Sequence, residues 1–177
     1  CHIEQKSGKI HKITLSNGNE IETDVLCLAI GHSARDTYEM LLNEGIDMVL
    51  KPFSVGVRIE HLKEDIDKAM YGDYAGHPKL GPSEYQLSHR EGEDACYSFC
   101  MCPGGEIVAA ASEEGGVVVN GMSRRARDGR NSNSAIAVSV RKNDFDGTPM
   151  GAIEFQRWIE RNAFVQGGSD YFAPIQT

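Results

Sequence analysis

Asp24-Val25-Leu26-Cys27-Leu28-Ala29-Ile30-Gly31-His32-Ser33-Ala34-Arg35-Asp36 is the stretch on which the reading of the fold turns. Its first half is a continuous apolar run without alternation, the pattern of a strand covered on both faces, as in a parallel sheet. Gly31-His32 ends the run. Ser33 followed by Asp36 spells a capping box, so a helix is expected to start there. Ala34, Tyr38, Leu41 and Leu42 supply its buried stripe, and Gly45 is a natural left-handed stop. Upstream, Lys9 to Glu22 alternates around Ile13, Leu15 and Ile21, with Asn17-Gly18 suited to a type I′ turn, which predicts a β-hairpin.

Downstream the pattern changes to period two. Phe53 to Glu60 alternates, predicting a strand with one wet face, and Leu62, Ile66, Ala69 and Met70 form a short amphipathic helix that Gly72 ends. Residues 72 to 95 read mostly as loop, with a strand candidate at Tyr85 to His89. Tyr97 to Met101, Glu106 to Ala111 and Val117 to Asn120 are further strands, punctuated by Gly104-Gly105 and Gly115-Gly116, and suggest an antiparallel meander. The polar stretch Ser123 to Ser134 precedes a strand at Ala135 to Val140. Thr148-Pro149 opens a helix to about Val165, closed by Gly167-Gly168. The expected class is α+β: an α/β-type strand and helix strip, then a mainly antiparallel sheet with flanking helices, with the boundary placed between 46 and 52.

The 177 residues are 40% apolar, 25% charged and 7% aromatic, a globular composition. The longest apolar run is far short of the ~20 residues of a spanning helix, and no signal-type core follows the N-terminus, so neither a membrane span nor secretion is expected. Five cysteines, three of them crowded together, resemble no disulfide framework and suit a reducing cytoplasm. A net charge of −8 argues against nucleic acid as partner.

A glycine turn entering a helix N-terminus is a ready site for an anion or pyrophosphate, because the first N–H groups lack partners. No G-x-G-x-x-G fingerprint occurs in the chain, so a self-contained Rossmann site is not expected. In Cys96-x3-Cys100-x-Cys102 the thiols would share one face of a strand. Zinc or an iron–sulfur centre would need a remote ligand such as His89 or His77, and the spacing fits no standard set, so core packing is the favoured reading and no metal is assigned. Met101-Cys102-Pro103-Gly104-Gly105 shapes a loop where backbone can approach a ligand. Arg124, Arg125, Arg127 and Arg130, with Asn131 and Asn133, form a basic patch suited to a carboxylate or phosphate. Arg58 and Glu60 are read as an exposed strand face.

The same Asp24 to Thr37 segment looks like the second nucleotide-contacting strip of two-dinucleotide-type flavoproteins. Lys51 to His61, Ser98 to Gly105, Asn120-Gly121-Met122-Ser123, Ala126-Arg127-Asp128-Gly129 and Asn131 to Ala135 resemble, in order, a bacterial family of NAD(FAD)-utilising or FAD-dependent dehydrogenases. The resemblance implies FAD in the full-length parent, with NAD(P)H as a candidate second cofactor. It implies that Gly31, His32, Ser33 and Arg35 lie near the cofactor, and Met101, Cys102, Gly104, Gly105, Arg127 and Asn131 near a small-molecule substrate, anionic if the arginines meet it. Residues 1–46 would be a partial FAD/NAD(P)-binding strip and 47–177 an inserted substrate or cap domain. The chain would then be an internal fragment, inactive alone, with the remaining FAD domain of the same polypeptide as partner. No catalytic acid or base is identified. The alternative is a non-catalytic α+β module that binds a small anion or a partner.

Overall fold

A type I′ two-residue hairpin needs positive φ at both turn residues, and the chain meets that demand at Ser7 (φ 54) and Gly8 (φ 74). They join β1 (His2–Lys6) to β2 (Lys9–Thr14), which pairs with β3 (Glu20–Glu22) to complete a three-stranded antiparallel sheet. The hairpin expected from sequence is the β2–β3 pair. Its turn is not type I′, because only Gly18 of Asn17-Gly18 has positive φ and the loop runs from Leu15 to Asn19. Ile3 and Ile13 lie opposite each other and are buried. The computed structural model describes all residues, Cys1–Thr177, in two compact units, Cys1–Val49 and Leu50–Thr177.

The first unit departs from expectation at its deciding stretch. Residues 24 to 31 form no strand, and Val25 is 79% exposed. An apolar run becomes a strand only with ladder partners, and none of the three sheets includes it. The helix that follows, α1 (Arg35–Asn43), also starts without the predicted box. Its N-cap is Ala34 with no side-chain cap, and Ser33 Oγ instead lies 2.9 Å from His32 Nδ1. The far end is as expected: Gly45, at φ 74, donates to Leu42 O and Ile46 to Leu41 O, closing a Schellman motif. His2 Nδ1 to Glu44 (2.6 Å) and Gln5 Nε2 to Glu44 O (3.2 Å) tie β1 to that helix end.

The second unit contains β4 (Phe53–Leu62), α2 (Lys63–Tyr71), β5 (Ser88–Glu91), β6 (Asp94–Cys102), β7 (Gly105–Ala109), β8 (Val119–Ser123), β9 (Asn131–Val140) and α3 (Pro149–Gln166). Four strands form one antiparallel sheet in the order β4-β9-β6-β5, while β7 and β8 make a separate hairpin. The class is α+β. It is not a simple meander, because the last strand inserts between β4 and β6. β9 also begins earlier than its apolar half suggested, and the polar residues Ser132, Asn133 and Ser134 are its most buried part. Phe53, Phe145, Phe155 and Trp158 form a chain of ring contacts at 6.0 to 6.4 Å that includes α3. α3 is capped by Thr148 Oγ1, which accepts from Gly151 N at 2.9 Å. No helix is long and apolar enough to cross a membrane.

Candidate functional site

In the first unit, Gly31 (φ 73) has nothing within 4 Å of where a Cβ would stand, and Tyr38 Oη donates to its carbonyl at 2.6 Å. The turn is therefore held from behind and open in front. His32 and Ser33 are exposed, while Arg35 is turned inward and buried. An open glycine turn before a helix without a side-chain cap suits the anionic part of a dinucleotide such as FAD. The glycine-rich fingerprint of a complete dinucleotide site does not occur in this chain.

In the second unit, β6 bulges where it passes β9. Pairing is regular to Phe99↔Ala135 and resumes at Cys102↔Asn133, so Cys100 and Met101 together oppose Ser134. Cys100 takes the left-handed conformation, φ 48, to make the bulge. One inserted residue reverses the side-chain alternation, so Cys96 and Cys102 fall on opposite faces and the expected common cysteine face does not exist. Burial pushes the Cys102 thiol up, Cys100 adds to it, and Arg58 pulls the other way without cancelling the rise. Cys102 thus remains a protonated thiol at neutral pH. No group of three His, Cys, Asp or Glu side chains is placed to hold a metal ion.

The loop that follows the bulge is buried from Cys102 to Gly105. Gly104 N donates to Ser132 Oγ (3.1 Å), Gly129 N donates to Gly104 O (3.2 Å), and Ser123 Oγ donates to Pro103 O (2.8 Å). A Cβ on Gly104 would overlap Arg127 O, so the backbone that approaches this glycine closely is the chain's own. The fold thereby brings the 101–105 loop and Arg127 together. Arg127, at φ 52, reaches Glu84 at 2.5 Å, and Asn131 Nδ2 donates to Glu60 at 2.7 Å. Arg124, Arg125 and Arg130 remain exposed, with Arg124 3.9 Å from Glu106.

Arg58 was misassigned by sequence pattern. It is half-buried, whereas its apolar neighbour Val57 is 67% exposed. Arg58 Nη1 donates to Cys100 O (3.2 Å) and Asn133 Oδ1 (2.5 Å), and Nη2 to Asn120 Oδ1 (3.4 Å). Asn133 is completely buried. Since a guanidinium only donates, Asn133 must turn its oxygen to Arg58, which fixes where its amide nitrogen goes. That nitrogen has no hydrogen-bond partner, a deficit worth about 1–3 kcal/mol. Gly121 crosses so close above that a Cβ would overlap both Arg58 Nη1 and Asn133 Oδ1. The available signal was the run Asn131-Ser132-Asn133-Ser134 entering an apolar strand with no turn residue between.

The opposite face of the sheet carries a second unpaired atom. His61 Nε2 lies 2.8 Å from Tyr85 Oη, and His61 Nδ1 is buried with no partner. Nearby strands β5 and β6 border an open groove of about 590 Å³ lined by Phe53, Leu87, His89, Cys96 and Tyr97.

A relative from Clostridium beijerinckii, described only as an uncharacterized protein, is 51% identical over 177 residues, which covers 98% of this chain. The chain spans about a third (33%) of that relative's length. Residues 52–177, the greater part of the chain and nearly the whole second unit, match the family model "FAD-dependent protein, C-terminal domain-like". The chain belongs to this family of FAD-dependent proteins.

Proposed function

We propose that the protein carrying this chain is an FAD-dependent oxidoreductase, in which the first unit contributes part of the FAD site and the second forms its substrate-side cap. The observation that carries the reading is the match of residues 52–177 to the FAD-dependent family, to which the interlock of the Met101–Gly105 loop with Arg127 and Gly129 through Gly104 adds a candidate substrate-side surface. FAD, when bound, would supply the redox chemistry. The chain's own part is positioning. The Gly31–Ser33 turn and the start of α1 receive an anionic portion of the cofactor, and Tyr38 keeps the turn in place. The buried loop excludes water and fixes the backbone beneath Arg127. The Arg127 guanidinium exchanges its exposed Glu84 partner for an anionic substrate group.

The test is the absorbance spectrum of protein expressed from the complete reading frame, with chromatographic identification of released cofactor. Bound FAD that is bleached anaerobically by a reductant supports the proposal, and trials with NADH and NADPH identify the electron source. A colourless protein that FAD does not reconstitute overturns it. Arg127→Glu should raise KM for an anionic substrate with flavin content unchanged, and an unaltered KM removes Arg127 from the substrate site. A second reading, a non-catalytic anion-binding module, is favoured by Arg58 and the unpartnered amide nitrogen of Asn133 beside it.

A further inference from the structure

We propose that Arg58 and Asn133 form a binding site for a carboxylate-bearing ligand, with Asn120 and the Cys100 carbonyl holding the guanidinium in place. The argument begins with charge. Asp and Glu outnumber Lys and Arg by 26 to 18, and the other partly buried cations have found carboxylates: Arg157 lies on Glu113 at 2.7 Å, Lys63 on Asp67 at 3.4 Å and Lys12 on Glu20 at 2.8 Å. The partners of Arg58 carry no charge: the oxygens of Cys100, Asn133 and Asn120, with the Cys102 thiol beside them. Glu60, two residues along the same face of β4, is engaged by Asn131. A half-buried guanidinium without a counter-ion costs free energy unless something anionic completes it.

The second observation is independent of charge. Asn133 Nδ2 is a buried donor that the protein leaves empty beside that guanidinium. A carboxylate offers two coplanar oxygens, one for the Arg58 fork and one for the Asn133 amide, so one ligand group answers both deficits. Asn120 and Cys100, whose oxygens hold the guanidinium, are exposed residues. Its floor is fixed by the left-handed bulge at Cys100, and its roof by Gly121, where any side chain would displace Arg58. Cys102, kept as a neutral thiol by burial, leaves the guanidinium charge uncompensated.

The site is read by binding and does not depend on flavin or on turnover. Calorimetric titration of the complete protein with succinate, at constant ionic strength in chloride, should give saturable binding at one site. Arg58→Gln should weaken it at least about tenfold, with Arg58→Lys intermediate, because a lysine keeps the charge and loses the fork. Asn133→Asp is the decisive variant. It places a carboxylate of the chain's own against Arg58, so it should abolish succinate binding while leaving the melting temperature as high as that of the parent. Absence of saturable binding, unchanged affinity in Arg58→Gln or Asn133→Asp, or inorganic phosphate binding about tenfold more tightly than succinate would each overturn the proposal.

Discussion

Asp67 is a buried carboxylate on α2 that accepts from Ser83 N at 2.7 Å, Ser83 Oγ at 2.8 Å and Lys63 Nζ at 3.4 Å. Burial by itself raises its pKa, but the two Ser83 bonds and Lys63 outweigh burial and bring it below the ordinary carboxylate value. A lowered folded pKa means stability that is fully present above the unfolded value, about 3.9, and is lost as pH falls through the folded one. Asp67→Asn should therefore cost about 1–3 kcal/mol at pH 7, with the difference from the parent shrinking below about pH 4. Urea unfolding at pH 7, 5 and 3 checks this, and a difference constant with pH refutes it. Gly121→Ala tests packing in the same way: its Cβ would overlap Arg58 and Asn133, so a loss of about 1–3 kcal/mol in urea is expected. Neither role was legible from sequence. Arg58 stands between Val57 and Ile59, and alternation says only that it opposes them, not which face is wet. The structure turns the charged residue inward because Asn133 and the Cys100 carbonyl wait there, and both come from strands distant in sequence.

At the scale of elements, what local chemistry specifies was readable. The termini of α3 depend on residues within a few positions: Thr148 caps the first turn, and Gly168, at φ 93, donates to Val165 O while Ser169 donates to Phe164 O. Thr148→Ala should cost about 1 kcal/mol and shift the urea midpoint without changing the slope. An unchanged midpoint would mean that the aromatic contacts of Phe155 and Trp158 alone set this helix. Strands are different, because a strand exists only as half of a pair. Val25 to Ile30 has the composition of a buried strand and no neighbour in the three sheets, so it remains irregular and, apart from half-buried Leu26, exposed. Ser132 to Ser134 has the composition of a loop, yet β4 and β6 flank it, and the ladder extends through it. Its hydroxyls are buried at little cost because Ser132 Oγ accepts from Gly104 N and Ser134 Oγ donates to Phe99 O.

At the scale of the whole molecule, buried apolar side chains are few: Ile3, Ile13, Leu41, Cys102, Val117, Ala137, Val140 and Ala152. Many larger ones are exposed, among them Phe99 at 65%, Trp158 at 61% and Val57 at 67%. Scattered exposed apolar residues are ordinary, and a contiguous exposed apolar patch is what marks an interface. The chain spans 33% of its Clostridium beijerinckii relative, so polypeptide that could cover this surface exists in a protein of that length. The isolated 177-residue chain should therefore bind the dye ANS strongly under conditions where its circular dichroism still melts cooperatively. The complete protein, at equal molar concentration, should bind several-fold less. Cooperative melting separates this outcome from that of a molten chain, which binds the dye and melts without a transition. Equal dye binding by the two proteins would mean that the exposed residues are not covered within one polypeptide. Covering of these residues by the rest of the same polypeptide would then be refuted, whereas the carboxylate site at Arg58 would stand or fall by its own titration.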